Sequence, residues 1–225
     1  MPESAPDDAT LLRAVLDAPL EDEPRIAYAE WLRGGGQTAR AEFIRLQCTL
    51  SKCRTFPACR RKPECACEGC RMKRRVAALL TAEAALAWAD AAGLAADGVA
   101  VPIEAFTDRA SLPPGRLGLK WSRGFVVWVH APTAVFWAAA GALFRRHPIT
   151  RVTLTDADLH TETEARSTGE KHYWLAAPDK KVWLGSSGSK DTPAESNAAA
   201  FVKWRADEIS KHCVARGLKA AGLRR

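Results

Sequence analysis

Apolar residues recur at helical spacing through the first fifty positions. Leu11, Leu12, Val15 and Leu16 form one stripe, with Asp8 or Thr10 placed to cap it and Pro19 to end it. Asp22-Glu23-Pro24 opens a second helix. Acids sit at its positive dipole end, and proline occupies the first turn, where a missing N–H costs nothing. Its apolar face reads as Ile26, Ala27, Trp31 and Leu32, and Gly34-Gly35-Gly36 stops it. A third helix is predicted from about Thr38 to Leu50, with Phe43, Ile44, Gln47, Cys48 and Leu50 at helical spacing. Pro57 and Pro63 then make the chain irregular. Helical spacing returns from Glu68 through Val76, Leu79 and Leu80, and again from about Thr81 to Ala92, until Gly93 and Gly98 break it.

The pattern changes beyond Pro102, Pro113, Pro114 and Gly115. Phe125-Val126-Val127-Trp128-Val129 is β-branched and aromatic, as a buried strand should be. Thr133 is placed to cap a helix through Phe144, with Val135, Phe136, Ala139, Ala140, Leu143 and Phe144 facing inward and Pro148 closing it. Arg151 to Thr155 alternates like a strand. Strand, helix and strand within about 30 residues predict a right-handed crossover to a parallel partner. His172 to Ala176 and Lys181 to Leu184 read as a hairpin turning at Asp179-Lys180, with Trp174 and Trp183 paired across it. Gly185 to Lys190 is a Gly/Ser loop. A last helix is expected from about Pro193 to Arg216, with Phe201, Val202, Arg205, Ile209 and Cys213 in a stripe. Trp31, Trp128 and Trp137 fit apolar faces and are assigned to the core.

These elements predict an α+β protein. A helical N-terminal domain (1–100) carries a Cys-rich basic insertion (48–75), and a small α/β domain (116–225) ends in a long helix. Hydrophobic residues make up 47% of the 225-residue chain, enough for a real core. The first ten residues are polar and acidic, unlike a secretory leader. The Ala-rich stretch Thr81 to Val101 is too polar to span a bilayer. A soluble cytoplasmic protein is expected.

Composition is most uneven between Cys48 and Arg75, which hold six of the seven cysteines: Cys48, Cys53, Cys59, Cys65, Cys67 and Cys70. In a reducing cytosol such a cluster favours metal ligation over three disulfides or free thiols. Cys67-Glu68-Gly69-Cys70 is a C-x2-C turn that can aim two sulfurs at one ion, with Gly69 supplying backbone freedom. Cys53 and Cys59 form the natural second pair, and Cys65 is an alternative ligand. Cys48 lies on the apolar face of the preceding helix and reads as a core residue before it reads as a ligand. An all-thiolate set leaves no open position for water, so the expected cofactor is a structural Zn2+ rather than a catalytic one.

The same segment holds the whole net charge of +7. Lys52, Arg54, Arg60, Arg61, Lys62, Arg71, Lys73, Arg74 and Arg75 stand against only Glu64 and Glu68; the rest of the chain has 24 basic and 24 acidic residues. Such a patch is suited to phosphates of a nucleic acid or nucleoprotein complex, to an acidic protein partner, or to solubility alone. Phe56 is its one aromatic, which limits base stacking there.

No catalytic signature accompanies these features. His160 with Asp156, Asp158, Glu162 and Glu164 forms the one carboxylate–imidazole cluster, and it reads first as a solvated loop. Ser186-Ser187-Gly188-Ser189-Lys190 lacks phosphate-loop spacing.

Residues Leu11 to Leu50 carry Pro24, Arg25, Tyr28, Ala29, Trp31, Leu32, and then Arg40-Ala41-Glu42-Phe43-Ile44-Arg45-Leu46-Gln47. This segment resembles the bacterial repeat-companion domain, whose pattern reads P-R-L-x-Y-A-D-W-L followed by R-A-E-F-I-R-L-Q. Glu30 stands where that pattern has aspartate. Trp121 to Phe125 and Leu143 to Asp156 resemble the tail that in some members leads into leucine-rich-type repeats. Here one to two such β–α units are present and no run of repeats follows. The resemblance implies an interaction or scaffold role and carries no established activity onto these residues. The sequence as a whole therefore predicts a non-enzymatic binding or adaptor protein. Its partner would be a nucleic acid or nucleoprotein complex engaged through 52–75, or alternatively a protein docked on the β–α face.

Overall fold

The computed structural model describes residues 6–52, 65–89, 103–105, 117–157, 159–163, 171–176, 181–187 and 189–223. Cys53, Arg54, Cys59, Arg60, Arg61, Lys62, Asp158, Glu164 and the Asp179-Lys180 turn lie outside them. The described residues form seven helices and two small sheets, a mixed α+β architecture. None of these helices is long and apolar enough to cross a membrane.

The first three helices are α1 (Asp8–Asp17), α2 (Glu23–Gly34) and α3 (Thr38–Lys52). The cap of α1 is Asp7 rather than the expected Asp8 or Thr10: its carboxylate accepts the Thr10 N–H at 2.8 Å. The buried face of α2 also differs from expectation. Arg25, Tyr28, Ala29 and Leu32 face inward, whereas Ala27 is exposed and Trp31 is 36% exposed. The reason is polar. Arg25 donates to the carbonyls of Glu21 (2.5 Å), Pro19 (2.7 Å) and Ala18 (3.4 Å), satisfying groups left open where α1 ends, and its guanidinium lies over Phe125. A buried arginine so paired rotates the helix away from the face that apolar spacing alone selects.

α4 (Glu68–Leu79) and α5 (Ala82–Trp88) follow, the latter capped by Thr81 through a bond from the Ala84 N–H. The first sheet runs β1 (Ile103–Ala105), β2 (Leu117–Ser122), β3 (Phe125–Ala131), β4 (Arg151–Leu154) in that spatial order. β3 and β4 are parallel and joined by α6 (Thr133–Arg146), which is the predicted crossover. Thr133 is not the cap of α6. Pro132 holds that position, and Asp156, from beyond β4, accepts both the N–H and the hydroxyl of Thr133 at 2.7 Å.

The second sheet is an antiparallel meander of β5 (Leu159–Thr163), β6 (Lys171–Ala176) and β7 (Lys181–Ser186). Its β6–β7 hairpin places Trp174 opposite Trp183, as expected. β1, β2 and β5 were not evident from sequence. α7 (Ala198–Ala220) starts later than expected and is capped by Asn197. Its buried line is Ile209, Ser210, Cys213 and Gly217, while Val202 is 63% exposed. Ser210 Oγ accepts the Val152 N–H at 2.9 Å, so α7 supplies a partner to β4 at the edge of the first sheet.

Two apolar cores hold these layers. The larger joins β2, β3, β4, α6 and α7 to Phe43 of α3 and Ala85 of α5; the smaller joins α1, α2 and α3 to Phe125 of β3. Both cores therefore draw residues from each side of the expected boundary at 100–115.

Gly217 of α7 packs against the Phe144 ring of α6. A Cβ there would lie 2.3–2.7 Å from the Phe144 ring, whereas a Cβ at Gly141 would meet nothing nearer than 3.7 Å. Gly217→Ala is expected to destabilise by about 1–3 kcal/mol, and Gly141→Ala to be neutral or slightly stabilising through helix propensity. Urea denaturation of both variants checks the contrast; equal effects would mean that the helices do not meet at Gly217.

Candidate metal centre and basic surface

α4 begins where two cysteines can converge. Cys67 is the N-cap residue, in extended conformation (φ −62°, ψ 155°), and Cys70 lies three residues on in the first turn. N-cap and N3 side chains face one another across a helix start, the geometry that capping boxes use. Cys65 approaches from the preceding segment. The three thiols bring their sulfurs within 4.8 Å of one another, so Cys65, Cys67 and Cys70 can hold a metal ion. Gly69 does not act through backbone freedom, as the sequence suggested. It is a buried residue inside the helix and is not among the glycines with positive φ.

Crowding shows in the acid–base chemistry of the cluster. The Cys67 thiol, together with slight burial and Cys65, holds the Cys70 pKa above the ordinary thiol value. A divalent cation reverses that preference, because it favours three thiolates over three thiols. The positive end of α4 and the cations that follow suit the same charge. Soft thiolate donors select zinc, copper(I) or iron–sulfur chemistry over magnesium or calcium. Zinc takes four ligands. The remaining expected ligands, Cys53 and Cys59, are outside the described residues.

Cys48 is not part of this centre. It is buried in the small core, and burial pushes its pKa up to about 12, the state of an inert core thiol. Cys213 is buried in the large core and likewise pushed up to about 12.

The cations of the described part divide by task. Arg75 makes two 2.7 Å bonds to Glu42 and so fastens α4 to α3. This contact holds the Glu42 carboxyl below its usual range. Arg74 donates through both terminal nitrogens to the Cys65 carbonyl at 3.0 Å, bracing the segment that presents the first thiol. Lys52 lies 3.3 Å from Asp22. Arg71 and Lys73 are exposed on α4 beside the thiols. Three of the expected phosphate-binding cations, Lys52, Arg74 and Arg75, therefore meet protein groups, which sequence spacing could not show.

A second basic surface depends on β2, which local patterning does not mark, and on Trp128, which lies outside the core that its apolar neighbours suggest. Trp128 is half-buried, with the Arg151 guanidinium 4.1 Å and the Lys120 ammonium 5.3 Å from its ring centroid. The signal lay in Lys120 and Arg151 alternating with apolar neighbours. The His160 cluster loses one member to structure, since Asp156 accepts two bonds from Thr133 at the start of α6.

Comparison with protein-family models, curated proteins and solved structures finds no match to this chain.

Proposed function

We propose that the protein is a non-enzymatic nucleic-acid-binding adaptor whose contact surface is braced by a structural zinc ion. The observation that carries this reading is the convergence of three thiols at the start of a helix that carries Arg71, Lys73, Arg74 and Arg75. In this reading Cys65, Cys67 and Cys70 supply three ligands, and Cys53 or Cys59 supplies the fourth. Arg71 and Lys73, with Arg54, Arg60, Arg61 and Lys62 of the same segment, meet phosphates. The resemblance of residues 11–50 to the repeat-companion domain favours an adaptor role over an enzymatic one.

Metal analysis of the protein by mass spectrometry tests the brace. About one zinc per chain is expected, lost in Cys67→Ser/Cys70→Ser, with a melting temperature that falls on chelation. Titration with duplex DNA across salt concentrations tests the surface. Arg71→Ala/Lys73→Ala is expected to weaken binding and to flatten the salt slope by about two units, one per phosphate contact removed. Absence of any metal would overturn the brace. Zinc-loaded protein that ignores nucleic acid would instead favour a protein-docking scaffold.

A further inference from the structure

The first sheet has two faces of opposite character. Val129, Ala131, Val152 and Leu154 point into the large core. Strand alternation places Lys120, Trp128 and Arg151 on the other face, and the register sets them side by side: Lys120 opposite Trp128, Trp128 opposite Arg151. His130 and Thr153 form the next row of that face. An open recess of about 440 Å³ lies over it, lined by Lys120, Val127, Trp128, Thr150 and Arg151.

This row is held in place. The Trp128 indole N–H donates to Thr153 Oγ1 at 2.9 Å, which fixes the plane of the ring. Arg151 is exposed and stacks on that ring at 4.1 Å. Asp207 of α7 feels the Arg151 charge, but its carboxylate is bound at 2.6 Å by Lys203. Among the described residues that line it, the recess has two cations and an aromatic plane and no carboxylate.

We propose that this face is a binding platform for single-stranded nucleic acid. One base stacks as a further layer on the Arg151–Trp128 pair, and Lys120 and Arg151 meet the flanking phosphates. Aromatic rings and guanidinium planes on a sheet are surfaces that take unstacked bases. The recess opens on a sheet face, where a base can lie only after leaving a duplex. The ligand class rests on the nucleic-acid reading above, but the surface is separate from α4.

Fluorescence anisotropy of the full-length, zinc-loaded protein separates the two. The probes are a labelled oligodeoxythymidine of roughly 12 nucleotides and a duplex of the same length, within the range of single-strand site sizes. Trp128→Ala is expected to weaken single-strand binding about 5- to 100-fold, the effect of losing one base stack, while duplex binding stays as it was. Trp128→Phe should keep most of the affinity. Should Trp128→Ala lower the melting temperature, Arg151→Gln replaces it, with an expected loss of about tenfold. Unchanged single-strand affinity in folded Trp128→Ala or Arg151→Gln overturns the platform. The α4 reading would still stand if Arg71→Ala/Lys73→Ala weakens the duplex complex. Binding of neither probe overturns both.

Discussion

Gly124→Ala is expected to lower the unfolding free energy by about 2–5 kcal/mol, a large share of the total for a domain of this size. Gly124 and Arg123 form the two-residue turn between β2 and β3, and both have positive φ, 85° and 51°. That is the conformation of the tight hairpin turn whose twist matches the strands, and a side chain at the second position strains it. Space adds to strain. A Cβ on Gly124 would lie 2.2 Å from Ile44 Cγ1 and 2.9 Å from the Ile44 Cα, so backbone as well as side chain would have to move. The Gly124 N–H donates to Gln47 Oε1 at 2.6 Å, a bond that any shift of the turn breaks. Arg123 adds a 3.5 Å ion pair to Asp22 and a bond to the Leu20 carbonyl. Gly222→Ala is the control: its φ is 71° but nothing lies within 4 Å, so about 1 kcal/mol is expected. Ile44→Ala in the Gly124→Ala background should be less damaging than the sum of the two single changes. Urea denaturation reads all four proteins. A Gly124→Ala variant within about 1 kcal/mol of the parent would show that the turn does not dock on α3.

A second large effect is expected on acidification. His147 is 1% exposed, accepts the Val126 N–H on Nδ1 at 3.3 Å, and meets the rings of Trp121 and Phe125 edge-on. Burial, with the Arg40 charge second, pushes its pKa down to about 3. The Ala89 carbonyl favours the protonated ring slightly without reaching Nε2 in hydrogen-bond geometry. The unfolded chain takes up this proton near pH 6.5, and the folded chain refuses it until about pH 3. Stability is therefore full above pH 6.5 and declines as pH falls between those two values. Between pH 7 and pH 5, above the range where most carboxylates titrate, the loss is expected to be about 2 kcal/mol. His130, lowered by partial burial, acts in the same direction. His147→Gln keeps an acceptor for Val126 but cannot titrate. It should be less stable at pH 7 and should lose most of the slope. Melting curves from pH 5 to 7 decide: an unchanged slope would remove His147 as the acid-sensitive group.

Both predictions explain part of the sequence pattern that resembles the repeat-companion domain. Phe43, Ile44 and Gln47 belong to the R-A-E-F-I-R-L-Q segment, and all three serve packing. Phe43 enters the large core beside Trp88 and Trp121, Ile44 fills the space left open by Gly124, and Gln47 receives its N–H. Arg25 and Tyr28 likewise close the small core over Phe125. The motif is a docking surface between the helices and the β2–β3 turn. No residue of it gathers into a reactive cluster among the described residues.

The chain's local chemistry determined its helices, the β3–α6–β4 crossover, the β6–β7 hairpin and the cysteine pair at the start of α4. Periodicity, capping residues and C-x2-C spacing are short-range signals, and they act within a turn or two. Three matters were decided only by tertiary structure. Arg25, which lies over Phe125 of β3, and Asp156, which holds Thr133 from beyond β4, are polar groups with partners distant in sequence, so apolar spacing misplaced the face of α2 and Thr133 is not the cap of α6. Gly217, which looks like a helix breaker, stays inside α7 because the Phe144 ring occupies the space a side chain would need. Lys120, Trp128 and Arg151 are separated by up to a crossover in sequence and meet only through strand register. Sequence records which side chains can bury or bind; which of them face each other depends on hydrogen-bond pairing between segments that no local pattern encodes.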